Sequence, residues 1–287
     1  MEREVGDRDI DDVFLLMTLK CNAKCRHCYI NAGPKRTESM DLEDMEYVVD
    51  QAVDSNVDRI VFTGGEPMLE KDKLLETVKY ANNKKKETGY PKNIGLQTNA
   101  FWAINDKETK KVLRELTKAG VNEIQLDTDE FHKKFIPEDR PYRASQIAKK
   151  FMRKVYSHDY GKKRRIAPIG RAKTLPKKKQ FPEDCYLSSM PHLANSVFIN
   201  PMGEVYPCCW QVTKSMGNIL ETPLKEIVEK ADEDPAFQKL YKTEGIKELA
   251  DSLGIDSEYS KEKIEDIGEC GYCEEVFRKY SEKLLEK

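Results

Sequence analysis

The chain has 287 residues and a mass of 33.2 kDa, enough for one large domain or for a large and a small one. It is 39% hydrophobic and 35% charged with a formal net charge of −2, which permits a packed core and argues against binding polyanions through bulk charge. The N-terminal stretch MEREVGDRDIDD is charged and has no signal-peptide core. No stretch reaches the ~18 apolar residues that a membrane span needs, so the sequence reads as a cytoplasmic protein without a membrane partner.

In chain order, the first half alternates short apolar runs with amphipathic segments. VFLLMTL (Val13 to Leu19) reads as a buried strand, and Leu42, Met45, Val49, Ala52 and Val53 then share a helical face. RIVFTGG (Arg59 to Gly65) is a second strand, followed by a helix with Leu74, Leu75, Val78 and Ala81 on one side. NIGLQTN (Asn93 to Asn99) is a third, followed by Val112, Leu113, Leu116 and Ala119 and a stop at Gly120. EIQLDTD (Glu123 to Asp129) is a fourth, a helix is expected from about Tyr142 to Tyr156, and RRIAPIG (Arg164 to Gly170) reads as a fifth strand. Such strand–helix repeats imply a parallel sheet with right-handed crossovers, open or curled into a partial barrel. Polar groups at the carboxyl ends of its strands then face the functional crevice. After about residue 175 the pattern changes. SVFINPMGEVYPCC reads as two short strands around a turn at Pro201 to Gly203, with helices after it. The expected division is a core over residues 1–175 and a smaller unit over 176–287.

Eight cysteines in a reducing compartment point to metal binding or chemistry rather than to disulfides. They fall into two sets. CNAKCRHC places Cys21, Cys25 and Cys28 directly after the first strand, in the spacing C-x3-C-x2-C. Three thiolates on one loop can hold three irons of a cubane cluster and leave the fourth open. A zinc knuckle with a fourth ligand such as His27 is the competing reading. Cys185, Cys208, Cys209, Cys270 and Cys273 form the second set, in which CGYC is a C-x2-C pair that suits zinc or iron.

The first set resembles the C-x3-C-x-aromatic-C signature of the radical S-adenosylmethionine (SAM) enzymes, with His27 at the aromatic position. That resemblance implies a partial (β/α) barrel in which SAM chelates the open iron and is cleaved by an electron from the cluster to a 5′-deoxyadenosyl radical. TGGEP resembles the family's glycine-rich motif and places Gly64, Gly65, Glu66 and Pro67 at the methionine end of SAM. Thr98 and Asn99 match the ribose-contacting position, and Asp127 and Asp129 are further ribose candidates, with the choice between them open. NPMGEVYPC and GNILETPLKEI resemble the auxiliary-cluster extensions called SPASM or twitch domains. The resemblance implies two [4Fe–4S] clusters, the second held by Cys185, Cys208, Cys270 and Cys273.

One cysteine is then left over. Neighbouring residues on a strand point to opposite faces, so Cys208 and Cys209 cannot easily reach the same cluster. The resemblance makes Cys208 the ligand and leaves Cys209 as a thiol near the active site, against the alternative of an inert buried cysteine. YPCC, CGYCEEVF, NAFW, DEFH and IGRAKT together resemble the radical SAM peptide epimerases. This implies a ribosomally synthesised precursor peptide as partner, Cys209 as hydrogen donor, and a flavodoxin or ferredoxin as electron donor. A peptide cross-linking or thioether-forming maturase is the rival within the superfamily. Between Lys149 and Lys179 thirteen Lys or Arg face one acidic residue, Asp159, a stripe that could serve RNA. Only Phe151, Tyr156 and Tyr160 interleave it, which weighs against nucleic acid.

Overall fold

The computed structural model describes residues 10–127, 129–158, 166–176, 195–241 and 245–285. Its core is a run of strand–helix units: β1 (Asp12–Thr18), α1 (Leu42–Asp54), β2 (Arg59–Gly64), α2 (Lys71–Thr88), β3 (Asn93–Thr98), α3 (Asp106–Ala119), β4 (Glu123–Asp127), α4 (Asp139–Ala148) and β5 (Lys154–His158). Then come β6 (Ser196–Ile199), β7 (Glu204–Tyr206) and β8 (Gly217–Asn218), followed by helices α5 (Leu224–Glu233), α6 (Pro235–Leu240), α7 (Ile246–Ser252), α8 (Ser257–Lys279) and α9 (Ser281–Leu285). The eight strands form one sheet in the order β5-β4-β3-β2-β1-β6-β7-β8. All pairings from β5 to β6 are parallel, and β7 and β8 close the far edge antiparallel.

The core follows from the apolar runs. Val13, Leu15 and Met17 of β1 point to one side and pack with Met45, Val48 and Val49 of α1 and Leu74 and Val78 of α2. Full burial of each such aliphatic chain favours folding by about 1.5–3 kcal/mol. The other side of β1 begins with Phe14, stacked at 4.6 Å on its parallel partner Phe198 of β6. The C-terminal helices build a second cluster from Phe237, Leu240, Ile246, Leu249, Tyr272 and Val276, among others.

Two expectations are corrected. The helix expected through Tyr156 ends at Ala148, and Lys154–His158 is a strand paired with β4. Val155 packs on the core while Lys154 and Tyr156 are exposed, so the segment has the alternation and β-branched content of a strand. The fifth strand expected at Arg164 to Gly170 is not there among the described residues: from Ile166 the chain is irregular, with Pro168 removing a ladder donor, and a 3₁₀ turn runs from Gly170 to Thr174. The hairpin expected around Pro201 to Gly203 is present, and its first strand, β6, lies parallel beside β1 and extends the core sheet.

Candidate iron–sulfur and cofactor site

The chain leaves β1 into a loop closed by a short ladder. Leu19 N–H donates to Glu38 O at 2.8 Å, Gly33 N–H to Leu19 O at 3.1 Å and Cys21 N–H to Gly33 O at 3.2 Å. Within it, Cys28 N–H turns back to Cys25 O at 3.3 Å. Cys21 and Cys25 are buried, Cys28 partly so, and they pack with Phe131, Ile166, Ala172 and Leu175. Burial pushes the Cys21 thiol up to about 12, although Ala23 N–H donates to its sulfur at 3.4 Å. The Cys28 thiol is raised for the same reason. Thiols that resist ionisation, as those of Cys21 and Cys28 do, become thiolates when a metal supplies the opposing charge. The donor set therefore fits an iron–sulfur cluster.

The loop's base is held by TGGEP. Gly65 N–H donates to Thr18 O at 2.6 Å and Glu66 N–H to Lys20 O at 2.9 Å. A Cβ at Gly64 would lie 2.4 Å from Thr18 O, and one at Gly65 would lie 2.2 Å from Lys20 O. The glycines thus let this turn close on the end of β1, a purpose that the ligand-approach reading of the motif does not supply.

Glu66 is fully buried, and its carboxylate accepts from Thr98 Oγ1 and Asn99 N–H, both at 2.8 Å, and from Met68 N–H at 3.0 Å. Burial raises its pKa to about 7. Thr98 Oγ1 also accepts from Trp102 Nε1 and Ala100 N–H, each at 3.1 Å. Asn99 Nδ2 donates to Asn22 Oδ1 at 2.9 Å, and Asn99 Oδ1 accepts from Phe101 N–H. Pro67 opens the 3₁₀ turn Pro67–Glu70. Glu66, Thr98 and Asn99 are thus brought together, but their side chains knit β2, β3 and the cysteine loop to one another.

The two aspartates differ. Asp127, the last residue of β4, has its Oδ1 buried with no hydrogen-bond partner among the described residues, and burial raises its pKa to about 6. Asp129 is already engaged: Oδ1 accepts from Phe131 N–H at 2.8 Å and His132 N–H at 3.1 Å, and Oδ2 lies 2.5 Å from His132 Nδ1 and 3.6 Å from His27 Nε2. Burial lowers His27 to about 4. Burial also opposes the charge on His132, but hydrogen bonds to Asp129 and Cys25 outweigh it and hold that imidazole well above its ordinary value. Ligand atoms of Cys25, His27 and His132 all lie within 4.8 Å of one another. Sequence reading missed the role of His132. Its signal was the three-residue spacing from Asp129 in DEFH, which lets one carboxylate cap the turn and hold the ring.

The second cysteine set is assembled from separate elements. Pro207 has no N–H to continue a ladder, and β7 ends at Tyr206. Cys208 and Cys209 therefore lie in a turn, with Gln211 N–H donating to Cys208 O at 3.2 Å. This corrects the strand-alternation argument for separating them. What separates them is burial: Cys208 is 4% exposed and Cys209 is half-buried. Cys270 and Cys273 are buried one turn apart on α8, directly after Gly268, whose φ of 72° breaks the helix. Cys270 packs with Ala167 and Ile169, and Tyr29, Trp210 and Val212 lie against them. The rings of Tyr29 and Trp210 meet edge-on at 5.0 Å, so the residue after Cys28 touches the residue after Cys209. Cys185 lies outside the described residues.

The family model of the radical SAM superfamily matches residues 15–163, from β1 past β5. This chain belongs to the radical SAM superfamily. A second model, the iron–sulfur cluster-binding SPASM domain, matches residues 191–274. The cofactors of this radical SAM protein are accordingly SAM and a [4Fe–4S] cluster, with further iron–sulfur in the SPASM region. YydG of Bacillus subtilis (strain 168), named for peptide biosynthesis, is 30% identical over 118 residues, 41% of this chain and 35% of YydG. The chain thus matches about a third of that relative's length. Two solved structures share the fold: BtrN in complex with AdoMet and 2-DOIA (TM-score 0.57, 20% identity, 83% of this chain and 88% of BtrN) and native anSMEcpe with bound AdoMet (TM-score 0.55, 16% identity, 96% and 98%). Among the described residues, no helix is long and apolar enough to cross a membrane.

Proposed function

We propose that this protein is a peptide epimerase that inverts a residue of a ribosomally made precursor peptide, with Cys209 as the hydrogen donor. The observation that carries the reading is the unequal pair after Pro207: a buried Cys208 beside a half-buried Cys209. Cys208, Cys270 and Cys273, together with Cys185, would hold the auxiliary cluster, and Cys21, Cys25 and Cys28 the first. Asp127 is the better of the two ribose candidates, because it ends a strand with a buried oxygen still open. The backbone of Gly64 to Glu66 would bound the methionine end, with Thr98 and Asn99 holding the adjoining loop in place.

The first cluster and SAM, when bound, supply a 5′-deoxyadenosyl radical able to take the Cα hydrogen atom of a peptide residue. Loss of that hydrogen leaves a planar carbon. The Cys209 S–H bond then breaks homolytically and a C–H bond forms on the opposite face, giving the D-residue and a sulfur radical. One electron, from a flavodoxin or ferredoxin, and one proton from water restore the thiol. The similarity to YydG supports a peptide as substrate. Part of the basic stripe is engaged internally, since Arg153 and Lys154 pair with Glu123, which disfavours RNA.

The test is anaerobic turnover of a candidate precursor peptide in heavy water, followed by chiral amino-acid analysis. The wild type should give a D-residue carrying one deuterium at Cα. Cys209→Ala should keep both clusters and cleave SAM, yet release no D-residue, whereas Cys208→Ala should lose auxiliary iron. A deuterated, inverted peptide from Cys209→Ala would mean another donor. A product lighter by two hydrogens would identify the cross-linking maturase instead.

A further inference from the structure

Residues 167–175 contain no cysteine and no strand, yet they touch both cysteine regions. Gly170 has φ +54°, and a Cβ there would lie 2.3 Å from Tyr29 O and 2.7 Å from Cys28 O. Only glycine lets this turn lie so close to the cysteine loop. Arg171 uses the closeness: its backbone N–H donates to Cys28 O at 3.1 Å and its Nε to Cys25 O at 2.8 Å. Arg26 Nη2 returns a bond to Thr174 O at 3.1 Å. On the other side, Ile169 shares an apolar cluster with Cys270, and Lys173 pairs at 2.6 Å with Glu274, the neighbour of Cys273.

The charge on Arg171 matters as well as its bonds. Its guanidinium lies against the loop that carries all three cysteines, with Nε 2.8 Å from Cys25 O. A guanidinium keeps its charge at any pH the protein meets. Reducing an iron–sulfur cluster adds one electron and hence one negative charge. A fixed cation nearby lowers the energy of that state, more strongly in a site shielded from water.

We propose that Arg171 is a positioning residue for the first cluster: it fixes the cysteine loop through the carbonyls of Cys25 and Cys28, and its charge favours the reduced form of the cluster held there. This rests on Cys21, Cys25 and Cys28 being the ligands of that cluster. SAM would bind at the iron that three cysteine ligands leave open, so the electron paramagnetic resonance signal that changes on adding SAM would report this cluster and not the auxiliary one.

The test is a redox titration of that signal in the reconstituted full chain, with iron counted for each variant. Arg171→Gln should shift the midpoint potential of the SAM-responsive cluster to more negative values, leave the auxiliary cluster's potential unchanged, and be rescued by Arg171→Lys. Lys173→Ala, which removes a charge from the same segment that is exposed and paired with Glu274, should change neither. An unchanged potential in an iron-replete Arg171→Gln variant overturns the proposal. If Arg171→Gln cannot hold the first cluster, Arg171→Lys decides. A wild-type potential, or selective loss of the first cluster with unchanged melting, supports the role, while a negative shift or the loss of both clusters overturns it. If the triple Cys21, Cys25 and Cys28 to Ala variant still shows the SAM-responsive signal, the ligand assignment itself has failed.

Discussion

The two cysteine regions are built in opposite ways. Cys21, Cys25 and Cys28 lie within one loop that closes on itself through Gly33, so their proximity costs little chain entropy. The SPASM region draws on a turn after β7 and on a helix that restarts after Gly268, in different parts of the chain. The first region is a local motif seated on a sheet. The second exists only once the tertiary structure exists. A local site tolerates damage elsewhere in the chain, whereas an assembled one reports on the packing of everything that delivers its cysteines.

The sharpest break of this contrast is to remove each cysteine set in turn. Changing Cys21, Cys25 and Cys28 together to Ala should reduce reconstituted iron from about eight to about four per chain and abolish SAM cleavage. Changing Cys208, Cys270 and Cys273 to Ala should remove a similar amount of iron yet leave SAM cleavage without peptide measurable. Iron analysis and the yield of 5′-deoxyadenosine check both. Equal loss of cleavage in the two variants would show that the first site is not local.

Next in size is the seat of the loop. Gly65→Ala would put a Cβ 2.2 Å from the Lys20 carbonyl oxygen, and backbone cannot step aside as a side-chain tip can. We expect a loss of about 3 kcal/mol in thermal unfolding. Gly89→Ala, with φ +88° at the end of α2 but nothing within 4 Å, should cost only about 1 kcal/mol. Similar losses for the two would mean that the close approach at Gly65 relaxes.

How much of each region could be read beforehand follows the same division. β1 to β4 and the cysteine loop were legible because each is a contiguous pattern: an apolar run, a helix face, a spacing. β5 was not, because Lys149, Lys150, Phe151, Arg153 and Val155 also fit a helix, and only pairing with β4 settles the matter. The parallel seat of β6 beside β1 joins Asp12 to Ser196, a pairing that no local pattern encodes. The strand argument for Cys208 and Cys209 failed at a single residue, Pro207. The positions of His132 and Arg171 were hidden for the same reason as β6, since their partners, Cys25 and Cys28, are remote in sequence.

A pH-dependent effect tests the buried link between β2 and β3. The carboxyl of Glu66 is raised by burial from an ordinary 4.5 to about 7. The folded state therefore holds a proton there that the unfolded chain releases above about pH 4.5. Its contribution is fully present below that pH and is lost as pH rises through 7, so stability should fall across this window, on the order of 3 kcal/mol. Glu66→Gln has no proton to lose and should flatten the slope in urea unfolding at several pH values. It should also be less stable at acid pH, because its amide would face the Asn99 N–H that now donates to Oε2. A slope that survives in Glu66→Gln would move the titration elsewhere, with Asp127 next in line.

The smallest effect decides how tightly the two regions are joined. Lys173 and Glu274 form the ion pair that links the 3₁₀ turn beside the cysteine loop to the auxiliary helix, but Lys173 is 52% exposed. Water screens such a pair, and holding two long side chains in one geometry offsets part of its attraction. Lys173→Ala and Glu274→Ala should each lower stability by no more than about 0.5 kcal/mol, and a double-mutant cycle should give a coupling of the same order. The apolar contacts of Ile169, Cys270 and Trp210 would then be the principal link between the regions. A coupling well above 1 kcal/mol would mean that the pair is held rigidly by both bodies, and that the cysteine loop and the auxiliary helix behave as a single unit rather than as a local site and an assembled one.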